Sequence, residues 1–351
     1  MKGNGYMFKV YHNASKLPDI WDEIVAENRD GENIFLKKQI LEKLEKFNPC
    51  GQLYHLNLGE RVVFVSYQLK LNILTFAKYP CINVPTNIIG LPISVAKTGY
   101  SICKEDNTDA MVEYIKCLKG FYIILNSDDI FNLAQGNTLS TCKMDIYWNS
   151  FEQYLLSMRS HYSYRIRKAL RRFSNIKVEE LEDNNLFDQA MYHLYEDVYE
   201  HSSEKLEKQP IDFFKKFPAK IIKFSLCGDI IAFVQLVEDK DELIFLFGGF
   251  KYSMNKKYDL YINMLLQIIS YGLNKKGIKR IDFGQTAEET KLKLGAIQHP
   301  KSLYIHHSNP IINGILSKVV HKFSYKPYMI EHNVFNDFEG DRNEGSTSEM
   351  P

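Results

Sequence analysis

The stretch Ile281-Asp-Phe-Gly-Gln-Thr-Ala-Glu-Glu-Thr-Lys-Leu-Lys-Leu-Gly-Ala296 gathers the chain's most suggestive set of reactive side chains. An apolar strand ends at Gly284 and a polar turn follows. Thr286 suits a helix cap, and Glu288 and Glu289 suit a first helical turn. Lys291 and Lys293 come next, ahead of Leu294-Gly295. On composition alone the segment reads as a well-capped helix with solvated lysines. A second candidate is Arg165, Arg167, Lys168, Arg171 and Arg172, five cations in eight residues with no acid among them. Met158, Tyr162, Ile166, Ala169, Leu170 and Phe173 form an apolar stripe, which leaves the cations on the other faces. Arg165, Lys168 and Arg172 share one of these faces. It is either a solvated surface or the side of a cleft that meets an anion. No strong general base stands out. Asp282, Glu288, Glu289, His299 and Tyr304 lie near the first segment, and each also reads as a cap, a surface group or core. Neither the histidines nor the six cysteines show metal-ligand spacing, so reduced thiols and no metal are expected.

The elements that must position these groups follow from periodicity. In the first half, Phe8–His12, Leu53–Leu58, Val62–Leu69 and Phe121–Leu125 read as strands, and Leu17–Asn28, Ile34–Phe47 and Asn107–Leu118 as helices. Phe151–Phe173 reads as one long helix and Leu186–Glu200 as another. Ile221–Leu226, Ile230–Val237 and Glu242–Phe250 form an antiparallel meander. A helix from Leu260 to Leu273 and the strand Ile278–Phe283 come after it. Gly59–Val65 and Gly228–Val234 echo each other at an offset of 169 residues, each a turn leading into an apolar strand.

A chain of 351 residues suits about two domains. The expected layout is 1–145, 146–330 and an acidic tail, 331–351, too polar to offset its ordering entropy. A net charge of +1 does not suit a chain that coats DNA. The longest stretch without a charge, Tyr79 to Ala96, holds three prolines, and no run has the length of a membrane helix. No signal peptide is apparent, and a cytoplasmic location is expected.

The strand ending Asp-Phe-Gly, the short polar turn, the lysine and the following Leu-Gly pair resemble a recurring segment of one family. It is the N-acyltransferase domain of the CelD/BcsL-type, Fem-like branch of the GNAT superfamily. Phe151–Arg172, with its spaced arginines, resembles the helix that opens this domain, and the order of meander, helix and Asp-Phe-Gly strand matches as well. The resemblance implies an α/β fold of two tandem GNAT-like domains, each a mixed, largely antiparallel sheet flanked by helices. It implies transfer of an acyl group to an amine on a small-molecule or sugar-linked acceptor, in cell-envelope or polysaccharide biosynthesis. The donor would be acyl-CoA, acetyl or longer, held at Gly248, Gly249, Lys256, Lys257 and Tyr258. Lys291 and Asp282 would carry catalysis, with Lys291 at the transferring carbonyl, and Arg165, Lys168, Arg172 and Gln285 would bind substrate. The loop Lys251–Leu260 departs from the pattern because it has no glycine with which to wrap a pyrophosphate. Fem-like members, which take aminoacyl-tRNA, commonly lack that loop, so tRNA is the alternative donor. A degenerate, non-catalytic binding domain is the remaining reading.

Overall fold

The computed structural model describes residues 7–28, 31–72, 83–104, 107–203 and 205–336. The first half runs β1 (Lys9–Tyr11), α1 (Ile20–Ala26), α2 (Lys38–Phe47), β2 (Leu53–Asn57), β3 (Val62–Asn72) and β4 (Asn83–Ile89). It continues with β5 (Tyr100–Ile102), α3 (Thr108–Cys117), β6 (Phe121–Ser127) and β7 (Ala134–Asp145). The second half opens with α4 (Phe151–Ser157), α5 (Ser160–Phe173), β8 (Lys177–Glu180), α6 (Gln189–His201) and α7 (Ile211–Lys216). Then come β9 (Lys220–Leu226), β10 (Asp229–Asp239), β11 (Glu242–Phe250), α8 (Tyr252–Tyr258) and α9 (Leu260–Asn274). The chain closes with β12 (Arg280–Asp282), α10 (Glu288–Leu292), β13 (Ile297–His307) and α11 (Pro310–Val319).

Among the described residues, thirteen strands form one mixed, mostly antiparallel sheet, and helices cover both faces. Its order is β1-β2-β3-β4-β6-β13-β7-β12-β11-β10-β9-β8, with β5 paired to β3. The two halves repeat one pairing scheme. β1 to β4 are antiparallel, β4 and β6 parallel, and β6 and β13 antiparallel. In the same way β8 to β11 are antiparallel, β11 and β12 parallel, and β12 and β7 antiparallel. The two echoing segments fall on equivalent hairpins, β2–β3 and β9–β10. The last strands are exchanged: β13, from the end of the chain, lies between β6 and β7, while β7 pairs with β12. The sheet therefore runs without a break past the expected boundary at 145/146.

β10 shows why both faces carry helices. Phe233 and Val237 join the core under α6 and α7, while Ala232, Val234 and Leu236 join the core under α9. A strand buried on both sides needs a continuous apolar run, and Ile230–Val237 is nearly that. β7 and β13 escape the periodicity reading for the opposite reason. Ala134–Asp145 is largely polar, and Pro300 interrupts β13. The register shifts between His299 and Lys301, and this bulge accommodates the residue that cannot donate to the ladder.

Two expectations need correction. The expected long helix is two helices: Met158 is extended (φ −77°, ψ 149°), and so is Arg159 before α5. Met158 bridges to Phe335, and the Arg159 N–H donates to the Val334 carbonyl at 2.9 Å. The tail expected to be disordered is therefore docked where it begins, with Val334 buried and Phe335 packed 4.9 Å from Trp148. Residues 337–351 lie outside the described ones, as does Cys81, and the other five cysteines are free.

Candidate functional site

β11 and β12 pair only from Glu242–Ile244 to Arg280–Asp282. β12 then stops, while β11 runs on to Phe250, so one edge of β11 has no ladder partner beyond Ile244 among the described residues. The parted strands open into a cavity of about 430 Å³. Its walls come from both halves and include β6, β7, β11, β13, α6 and the turn after β12.

That turn is bent sharply. Gly284 has φ +70°, Thr286 +63° and Ala287 +49°. The two residues with side chains hold a conformation that costs of the order of 1–3 kcal/mol each. Thr286 is not the expected cap, because α10 starts after Ala287 with no side-chain cap. The bend turns the carbonyls of Gly284 and Gln285 onto Lys291, whose Nζ donates to them at 3.0 and 2.7 Å. Lys291 is 1% exposed and lines the cavity. An ammonium has three N–H donors. The third meets no acceptor among the described residues. Burial pushes Lys291 down to about 8, and Cys142, Asp282 and Glu288 pull it back up in part.

Asp282 braces the turn. Its Oδ1 accepts from Thr141 Oγ1 at 2.6 Å and from the Gly284 N–H at 2.8 Å, which places it as a positioning group. Lys143 Nζ lies 3.7 Å from Oδ2. Gln285 ties the turn to the first half by donating to Asn126 Oδ1 (2.9 Å) and the Leu139 carbonyl (2.6 Å). Asn126 in turn donates to the Val95 carbonyl at 3.1 Å.

Sequence reading missed Glu207. It belongs to the segment between α6 and α7, lines the same cavity and is 6% exposed. The Tyr67 hydroxyl donates to its Oε1 at 3.3 Å. Burial raises the carboxyl from 4.5 to about 7, and its own backbone N–H and Tyr67 offset part of the rise. No local signal marks it: Leu206 is the one large apolar residue in Ser202–Pro210.

Asp282, Gln285, Lys291 and Gly248 thus meet at one cavity. Other expected site residues do not line it. Gly249 serves packing: a Cβ there would sit 2.6 Å from the backbone of Leu194 and Tyr195 in α6. Lys256 and Lys257 are exposed on α8, with Lys257 over the Tyr258 ring. Arg165, Lys168 and Arg172 lie exposed on α5, and Arg172 pairs with Asp259 at 3.0 Å. Of the base candidates, Glu288 accepts the Tyr325 hydroxyl, Glu289 pairs with Lys293, and Tyr304 is core.

No family model matches the sequence, and no curated protein does. Solved structures do. The C-terminal domain of a putative lysylphosphatidylglycerol synthetase from Agrobacterium fabrum aligns with TM-score 0.51 at 12% identity, over 85% of this chain and 96% of that one. L-PGS from Bacillus licheniformis aligns with TM-score 0.50 at 11% identity, over 79% and 95%. FemX aligns with TM-score 0.49 at 11% identity, over 88% and 100%. The fold is GNAT-like. At such identities the likeness concerns architecture alone; in this chain the parted parallel pair β11/β12 frames the cavity.

Proposed function

We propose that this protein is an acyltransferase that moves an acyl group from a carrier ester or thioester to an amine, with the cavity at the β11/β12 parting as its centre. The observation that carries the reading is the placement of Lys291, buried on the cavity wall and held by two carbonyls that leave its third N–H without an acceptor among the described residues. An acyl carbonyl placed there meets a positive donor as its oxygen gains charge. Losing one such donor typically costs about 3–4 kcal/mol of barrier. Attack by the amine forms the C–N bond, and collapse breaks the bond to the carrier. The proton leaving the amine goes to Glu207, whose raised affinity suits a base near pH 7.

One observation favours aminoacyl-tRNA over acyl-CoA as donor. The place where a pyrophosphate would meet a helix start is taken: α8 fills the loop, Asp259 stands before α9, and Asn255 Oδ1 accepts the Tyr261 N–H. An acid at a helix start repels a phosphate that its dipole would otherwise attract. The Fem-like branch, and with it a cell-envelope acceptor, is the assignment we favour. The test is a transfer assay with acetyl-CoA, longer acyl-CoAs and charged tRNA against a panel of amines, read by mass spectrometry beside thermal shifts. Binding and transfer from one donor class select it. Absence of both for all three would sink the reading and favour a non-catalytic binding domain.

A further inference from the structure

The polar groups described above occupy only part of the cavity; most of its wall is hydrocarbon. Phe121, Ile123 and Leu125 alternate along β6 and face it, while Tyr122 and Ile124 turn to the core under α3. Leu303 and Ile305 of β13 continue the wall, and Leu316, Val319 and Val320 of α11 and its extension close it. About 430 Å³ is within the range of whole organic ligands and is far more than an acetyl group fills. α11 is unusual beside the other helices of its length. None of its residues is fully buried: Leu316, with Val320 just beyond the helix, packs on Phe121, Ile123 and Ile305, and both, with Val319, also line the cavity. Its outer side shows Ile311 and Ile315 to solvent, 74% and 59% exposed. Such a wall stays half-packed unless an apolar ligand completes it.

We propose that this lobe of the cavity binds a linear hydrocarbon chain, running from the Lys291 end beneath α11. The same chemistry comes from the chain of a fatty acyl donor or from the tail of a lipid acceptor, and the aminoacyl donor favoured above leaves the second. Which end of the chain reaches Lys291 rests on the acyltransfer reading. Binding of the chain does not.

The test is calorimetry with acetate, octanoate, dodecanoate and hexadecanoate below their micelle concentrations, and with lysophosphatidylglycerol as the acceptor-tail probe. Affinity is expected to tighten by roughly fourfold per added methylene until the cavity is full. Leu316→Trp, which fills the lobe, should weaken dodecanoate at least tenfold, and Ile315→Ser on the outer side should leave it unchanged. A doxyl-labelled fatty acid should broaden the methyl signals of Ile123, Ile305 and Leu316 but not of Ile311, a readout that needs no variant to fold. Transfer from a fatty acyl donor marks the chain as donor, whereas binding of the lysolipid with no fatty acyl transfer marks it as acceptor tail. Equal, weak binding of all chain lengths, or broadening confined to Ile311 and Ile315, would overturn the proposal even if acetyl transfer were observed. Chain binding without any transfer would instead leave it standing and remove the enzymatic reading.

Discussion

Lys291 and Glu207, the proposed carbonyl partner and base, are each costly to the fold in their charged forms because both are buried. Lys291→Met is expected to lower transfer at least ~100-fold while the melting midpoint at pH 7 holds or rises, because a buried ammonium is removed. Lys293→Met should change neither, since that side chain only pairs with Glu289 on the surface of α10. A melting midpoint that collapses in Lys291→Met would make the lysine structural. For Glu207 the sign follows from its raised affinity. The folded carboxyl holds its proton to about pH 7 and the unfolded one to about 4.5, so stability falls as pH rises between these values. Glu207→Gln should therefore match wild type at pH 4.5 and melt several degrees higher at pH 8. It should also abolish the rise of kcat/KM through pH 7. An unchanged pH–rate profile would remove Glu207 as the base. The strand end and turn ahead of Lys291 were legible in sequence, whereas the burial of its ammonium was not. Glu207 was not, because its burial is created by Tyr67, 140 residues away.

At the scale of elements, the contact between α6 and β11 decides what the Gly248-Gly249 pair does. Gly249→Ala is expected to destabilise the protein by about 1–3 kcal/mol, since the clash is with helix backbone that cannot step aside. Wild-type stability, with weakened donor binding instead, would return Gly249 to the donor site. The basic helix α5 divides in the same manner. Arg165 and Lys168 are exposed with no ion-pair partner among the described residues, so Arg165→Glu with Lys168→Glu should leave the melting midpoint unchanged. Affinity for an anionic donor should fall, and more so at low salt. Retained affinity would make the face an ordinary solvated surface. The apolar stripe of α5 was readable from spacing. Its break from α4 was not, because a residue far along the chain, Phe335, supplies the bridging partner.

At the scale of the molecule, a buried charge cluster joins the halves. Glu242 of β11 lies between Lys97 of the first half and Lys143 of β7, with Lys143 Nζ at 2.8 Å. Burial works against its charge, yet the two lysines hold it down to about 2. Its contribution is therefore present above pH 4.5 and is lost as pH falls towards 2. Glu242→Gln leaves two largely buried lysines without their shared partner and should cost about 3–5 kcal/mol, measured by denaturant unfolding at pH 7. A loss below 1 kcal/mol would mean that the halves are held by strand exchange alone.

The sequence by itself determined the meanders, the amphipathic helices, the α/β class and the strand–turn–lysine segment. These depend on spacings within a few residues, where periodicity and turn chemistry act. The tertiary structure alone decided that β13 enters between β6 and β7, that Glu207 comes over the cavity holding Lys291, and that glycine and lysine positions near α8 serve packing and surface. It also decided that the tail begins by docking on α4 and α5. The reason is physical: strand exchange, burial and the shift in a carboxyl's proton affinity are set by partners more than a hundred residues apart. No local pattern of residue types encodes which distant surface will exclude the water.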